Sequence, residues 1–319
     1  MNASINRRRL LVGGAASAVA TAGLLARPAA AIAAEAVAAA DDSPGWIDAH
    51  VHVWTPDTRR YPVGPNFTVA DMVPPSFTAD QLLSHCRPEN VGRIVLIQMN
   101  FYELDHRYLL AVMRQHPGVF SAVGLVDHQS PAVAAAMNHL AAQGVRGFRL
   151  HSLGDAKDWP HSETMATLWK KAAADGLAVC PLINPEDLPH IDVLCKRFPD
   201  TTVVVDHFAR IGVSGRIDAE RLDALCRLAR FPNVHVKTSA FYALGAKASP
   251  YTDLTAMIQR VLDAFGPQRL MWGSDCPYQV QDPHTYHDSI ALIRDSMDSL
   301  SATEKQWILR DTAEKVFFS

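Results

Sequence analysis

Eight apolar runs of strand length recur from residue 46 onward: Trp46–Val51, Arg93–Gln98, Phe120–Val126, Val145–His151, Leu177–Ile183, Thr202–His207, Val234–Ser239 and Leu270–Asp275. Between them apolar residues fall three and four apart. Met165, Leu168, Trp169 and Ala172 form one such series, and Leu188, Ile191, Leu194, Cys195 and Phe198 another. That is the spacing of a single helical face. Gly144, Gly176 and Gly266 stand where these helices should end, as C-terminal caps do. Asp218 is placed to cap a helix over 221–230, and Ser301 with Glu304 reads as a capping box.

Strands that alternate with helices pair in parallel. Eight such units predict an α/β fold, a single-domain (β/α)₈ TIM barrel over residues 41–319, a size close to the ~250 residues usual for that fold. The rival is an open doubly wound sheet. It usually carries a glycine-rich phosphate loop after its first strand, and no such loop is present. The segment Thr55–Thr78 holds five prolines. It is long for a βα loop, and its place after the first strand predicts a lid on the functional rim.

Residues 1–40 read differently. Arg7, Arg8 and Arg9 precede an uncharged stretch from Leu10 to Ala26, and alanine-rich segments follow. A basic start, an apolar middle and small residues predict a cleaved export signal, of the twin-arginine type given the adjacent arginines. A periplasmic or extracellular location follows. The alternative, a membrane anchor, suits the stretch less well, because it is short of the ~20 residues a bilayer needs and poor in large apolar residues. Cleavage removes four arginines and one glutamate, which moves the net charge from −3 to −6. A mildly acidic domain without a basic block argues against a nucleic-acid partner. The five cysteines, Cys86, Cys180, Cys195, Cys226 and Cys276, are widely spaced. Their odd number and the large core point to buried free thiols.

The candidate chemistry lies at the ends of the predicted strands. In "WIDAHVHVW" His50 and His52 are two apart and face one way. They sit at the C-terminal end of the first strand, where barrels carry their active sites. Asp275 closes the eighth strand in "RLMWGSDCPY", and barrel closure brings it beside the first. His207 ends the sixth strand next to Asp206. Only one of the two is expected to face inward, and His207 is chosen. Imidazoles and a carboxylate so placed can bind a metal ion or move protons. Arg149, His151, Lys237 and Gln98 end other strands. They are candidate substrate contacts, the cationic ones suited to an anionic small molecule. Asn100 and Ser239 are further polar strand ends. His284 and His287 follow Asp275 in a loop that should also overhang the mouth.

With "IDAHVHVW", "RGFRLH", "VVVDHFAR", "NVHVKTSAFY" and "RLMWGSDCPY" in that order, the chain from about Trp46 onward resembles the amidohydrolase 2 branch of the amidohydrolase superfamily. That branch includes metal-dependent decarboxylases and lactonases of sugar lactones and of 2-pyrone-4,6-dicarboxylate. Its metal-rich members carry a histidine at the end of the fifth strand, where this chain has Ile183 and Asn184. No fourth-strand lysine is present to bridge two metals. The resemblance therefore implies a lactonase-like hydrolase. Asp275 would be its general base and His50, His52 and His207 would polarise the lactone carbonyl. At most one divalent ion, zinc foremost, would sit among His50, His52, His207 and Asp275, or none at all. A zinc-dependent decarboxylase and a non-catalytic binding protein on the same barrel are the alternatives.

Overall fold

The computed structural model describes residues 45–319. The expected export signal lies outside the described residues. Eight parallel strands run in chain order, each paired with the next: β1 (Trp46–Val51), β2 (Val91–Ile97), β3 (Phe120–Leu125), β4 (Val145–His151), β5 (Ala178–Leu182), β6 (Thr202–Val205), β7 (Val234–Ser239) and β8 (Leu270–Gly273). Helices connect them, among these α1 (Ala79–Cys86), α2 (Arg107–Gln115), α3 (Val133–Ala141), α4 (Glu163–Asp175), α5 (Leu188–Arg197), α6 (Ala219–Arg227), α7 (Thr255–Phe265) and α8 (Tyr286–Ala291). Asp218 caps α6 by accepting from the backbone N–H of Arg221, and Gly176 ends α4 in the left-handed conformation. Ser301 and Glu304 form the expected capping box on α9 (Ala302–Gln306).

Closure occurs between β8 and β1. The Asp275 N–H donates to the His50 carbonyl and the His52 N–H to the Cys276 carbonyl, both at 2.8 Å. Gly273 permits this approach, since a Cβ there would stand 2.8 Å from the Cβ of His50. Asp48 adds a lock across the seam. Its Oδ1 accepts from the Ser274 N–H (2.9 Å) and its Oδ2 from the Tyr286 hydroxyl (2.8 Å).

Two apolar layers follow from strand alternation. The interior holds Ile47, Ala49, Val95, Ile97, Val123, Cys180, Val204 and Met271. Alternate residues such as Ile94, Leu96, Val203 and Val205 face the helices. A final helix, α10 (Thr312–Phe317), closes the bottom, where Ala313 and Phe317 join the interior cluster. The Ser121 hydroxyl donates to the Phe317 carbonyl at 2.6 Å. All five cysteines are free and buried. Among the described residues no helix is long and apolar enough to cross a membrane.

Candidate active site

β1 reaches the mouth through a break in its own alternation. Its pairing with β2 shifts between Asp48 and Val51, so an extra residue is accommodated there. Ile47 and Ala49 point into the barrel, whereas Val51 joins the outer layer. His50 and His52 both turn toward the mouth and are buried. Their rings lie 5.2 Å apart.

The His52 Nδ1–H donates to the Ile97 carbonyl (2.9 Å), which leaves Nε2 as a bare acceptor facing Asp275 Oδ1 at 3.4 Å. His50 is held on both sides. The Arg149 Nη2 donates to its Nε2 at 2.7 Å, and its Nδ1 faces both Lys237 Nζ at 3.1 Å and Asp206 Oδ1 at 3.4 Å. Lys237 Nζ reaches the same Asp206 oxygen at 3.1 Å. Burial, and then the nearby Lys237 charge, push the His50 imidazolium well below its ordinary range.

The segment after β6 departs from the sequence expectation that one of Asp206 and His207 faces inward. Both do. His207, Phe208, Ala209 and Arg210 have φ of +51°, +53°, +53° and +59°, four consecutive non-glycine residues in a left-handed turn. Each costs roughly 1–2 kcal/mol relative to the right-handed form. The turn breaks strand alternation. Asp206 goes under His50 to Lys237, His207 goes over to Asp275, and Arg210 reaches the cavity rim. Such strain concentrates at functional sites. The His207 Nδ1–H donates to Ser239 Oγ at 2.7 Å, and that hydroxyl points on to the Lys237 carbonyl at 3.4 Å. The His207 Nε2 is thereby left bare, 3.9 Å from Asp275 Oδ2. Burial pushes His207 down to about 4, against the opposing pull of Asp275.

Asp275 lies two residues beyond β8, at φ +65°. Burial alone would raise its pKa, but the positive charge that His207, His52 and His50 carry when protonated holds it well below the usual carboxylate range. The Tyr242 hydroxyl donates to Oδ2 at 2.7 Å. Two bare imidazole lone pairs, those of His52 and His207, and a carboxylate therefore converge with few hydrogens among them. That space calls for a donor such as water, or for a cation.

Above them opens a cavity of about 260 Å³, lined by His52, Arg149, His151, His207, Arg210, Tyr242, Asp275 and Tyr278 with apolar walls from Met99, Leu182 and Leu244. His151 is half-buried, 3.3 Å from the Asn100 amide, and burial pushes it down to about 4. Two of the expected substrate contacts are placed elsewhere. Lys237 is fully buried beneath the site, committed to Asp206 and lying over the Phe317 ring. Strand β7 simply puts it one layer too deep. The Gln98 amide is spent on the Glu103 and Asp105 carbonyls, where it shapes the loop after β2. No residue of 55–78 lines the cavity. That segment instead packs toward the β2 side, with the Gly64 N–H on the Phe101 carbonyl and Asn66 on Glu103. His284 bonds Tyr251 and His287 bonds Glu89, both outside the cavity lining. Sequence reasoning missed Asp206, Arg210, Tyr242 and Tyr278. All four stand within five residues of a strand end, and the first two lie inside "VVVDHFAR".

His50, His52 and Asp275 each place one ligand atom within 4.8 Å of the others, close enough for one metal ion, and the Nε2 atoms of His50 and His52 stand 3.6 and 3.4 Å from Asp275 Oδ1. The fit is incomplete, because the His50 lone pair already accepts from Arg149.

Fold and site together define an enzyme of the α/β-barrel class with a histidine- and aspartate-lined mouth. The chain belongs to the amidohydrolase family, whose model matches residues 47–318. It is 33% identical over 238 residues to an L-fucono-1,5-lactonase of Burkholderia ambifaria, covering 72% of this chain and 80% of that protein. A 2-pyrone-4,6-dicarboxylate hydrolase of Comamonas testosteroni is 26% identical over 261 residues, covering 78% and 82%. A crystal structure of an amidohydrolase from Burkholderia multivorans with bound zinc shares the fold at a TM-score of 0.71 and 24% identity, over 86% of this chain and 99% of that one.

Proposed function

We propose that this protein is a lactonase in which Asp275 activates water for attack on the ring carbonyl. The observation that carries the reading is the ionised Asp275 surrounded by the bare Nε2 atoms of His52 and His207. A water there gives one hydrogen to the carboxylate and the other to an imidazole, which aims its lone pair outward. The Nε2 atoms of His52 and His207 that face Asp275 are acceptors, so they are unsuited to donate to the carbonyl oxygen. That task falls to Arg149, which lines the cavity and whose Nε–H has no partner among the described residues. Its fixed charge stabilises the oxyanion in a site largely removed from water. Asp275 then returns the proton to the departing ring oxygen. Lactones are also the substrates named for both relatives above. A divalent ion held by His50, His52 and Asp275 would supply Lewis-acid polarisation of the carbonyl in place of Arg149.

The test is a panel of neutral and carboxylated γ- and δ-lactones, followed by proton release, with CO₂ measured in parallel on aromatic acids. Ring opening without CO₂ supports the lactonase. CO₂ release without ring opening supports the decarboxylase, and neither activity with tight ligand binding supports a binding protein. Export of the precursor, expected from Arg7–Arg9, is tested by cell fractionation after two of these arginines are changed to lysine.

The substrate of this reading carries negative charge. Arg149 and Arg210 outnumber Asp275 among the charged groups that line the cavity, and the partner found for the Arg210 guanidinium is the neutral Asn184 amide at 3.3 Å. Arg210→Gln should raise KM for carboxylated lactones about 10–100-fold, the worth of one charge-assisted hydrogen bond, and leave neutral lactones nearly unchanged. Equal effects on both would remove Arg210 from substrate recognition.

The pH profile follows from the same geometry. The reaction needs Asp275 ionised and His207 neutral, and His207 protonates only near 4. Below that point the imidazolium pairs with Asp275 and consumes the base. The kcat/KM profile should be flat from neutral pH to about 5 and fall through about 4. A midpoint near 6.5 would show His207 titrating like an exposed imidazole.

A further inference from the structure

We propose that the Arg149 guanidinium and a divalent cation are alternative occupants of one position, so that this arginine decides whether the site takes up metal. The ligands themselves are well placed: His50, His52 and Asp275 each bring one ligand atom within 4.8 Å of the others, and His50 Nε2 and His52 Nε2 stand 3.6 and 3.4 Å from Asp275 Oδ1. Zinc bound by them would lie ~2.0–2.2 Å from each. His50, however, has a single lone pair on Nε2, and Arg149 Nη2 stands on it at 2.7 Å. A cation at coordination distance along that lone pair would overlap the guanidinium nitrogen. The ring cannot offer its other nitrogen, because Nδ1 faces Asp206 Oδ1 at 3.4 Å and Lys237 Nζ at 3.1 Å on the opposite side.

Entry of an ion therefore requires Arg149 to withdraw. That movement also breaks the contact of Nη2 with Asp206 Oδ2 at 3.4 Å. With the arginine in place, two of the three converging ligands remain, His52 and Asp275. His207 does not substitute, since its Nε2 faces the other carboxylate oxygen at 3.9 Å and lies outside the converging set. The guanidinium is a cation built into the chain at the place where an ion would otherwise sit.

The experiment compares Zn²⁺ affinity of metal-stripped full-length wild type, Arg149→Met and Arg149→Lys, read by competition with a chromophoric chelator near neutral pH. No substrate is needed, so the outcome is independent of the lactonase reading. Arg149→Met should bind one Zn²⁺ about 100-fold more tightly than wild type, on the scale at which groups adjoining metal ligands change affinity. Adding His50→Gln to that variant should abolish the gain, because the gain runs through the released Nε2. Arg149→Lys keeps a cation for Asp206 on a shorter arm and should show a smaller gain of the same sign, which serves if the methionine variant does not fold. The proposal is overturned if wild type itself takes up one Zn²⁺ with nanomolar affinity. It is equally overturned if the folded Arg149 variants bind no more tightly than wild type, or if the gain survives His50→Gln.

Discussion

Replacing Asp275 by asparagine should lower kcat for lactone opening by about 10²–10⁴-fold, the usual contribution of a positioned general base. The amide keeps the shape and still accepts from the Tyr242 hydroxyl, which now bonds Oδ2 at 2.7 Å. What it loses is the negative charge that takes the proton. The amide N–H₂, standing where Oδ1 is now, would face the bare Nε2 of His52, exchanging an acceptor–acceptor approach for a hydrogen bond. The thermal midpoint should accordingly be no lower than that of wild type, so loss of activity cannot be blamed on unfolding. A variant that retains most of the wild-type kcat would show that another group activates the water.

The largest effect on stability is expected from Lys237→Met. Lys237 and Asp206 are both fully buried, 3.1 Å apart. Burial alone would raise the Asp206 pKa, but Lys237, His50 and Arg149 hold the carboxyl well below its ordinary range. Removing one partner of such a pair typically costs about 3–5 kcal/mol, because the remaining charge has lost its compensation. Denaturant unfolding should show a loss of that size. Adding Asp206→Asn to Lys237→Met should recover most of it, since no uncompensated carboxylate then remains. Activity should stay low in the double variant, because both the ammonium and the carboxylate that face His50 Nδ1 have gone. A loss below ~1 kcal/mol for the single variant would mean that Asp206 protonates or gains water instead, and that the pair does not hold the base of the site.

The barrel was legible in the sequence because its signal is periodic. The eight apolar runs lie within a few residues of β1 to β8, and the caps at Asp218, Gly176 and Ser301 are local devices. His50, His52, His207 and Asp275 were legible because strand order in a barrel dictates where strand ends meet. What escaped was anything set by a departure from regular backbone. The left-handed turn at His207–Arg210 sends both Asp206 and His207 into the site and carries Arg210 to its rim, and strand alternation forbids that arrangement. Depth along a strand escaped as well. Lys237 and Ser239 both end β7, yet the first lies under His50 and the second bonds His207 from beside it. Hydrogen-bond direction was out of reach of sequence altogether. The bare Nε2 atoms follow from the Ile97 carbonyl and the Ser239 hydroxyl. They recast the histidines as acceptors and leave Arg149 to polarise the carbonyl.

In the proposed reaction, water activated at Asp275 opens a lactone at its carbonyl. That step is tested most directly by turnover of the best lactone of the panel in ¹⁸O-labelled water, with the label located in the product by mass spectrometry. One labelled oxygen per molecule is expected in the new carboxylate and none in the released hydroxyl, with the rate in Asp275→Asn lowered as above. Label in the hydroxyl, or ring opening that proceeds equally well in Asp275→Asn, would contradict that step.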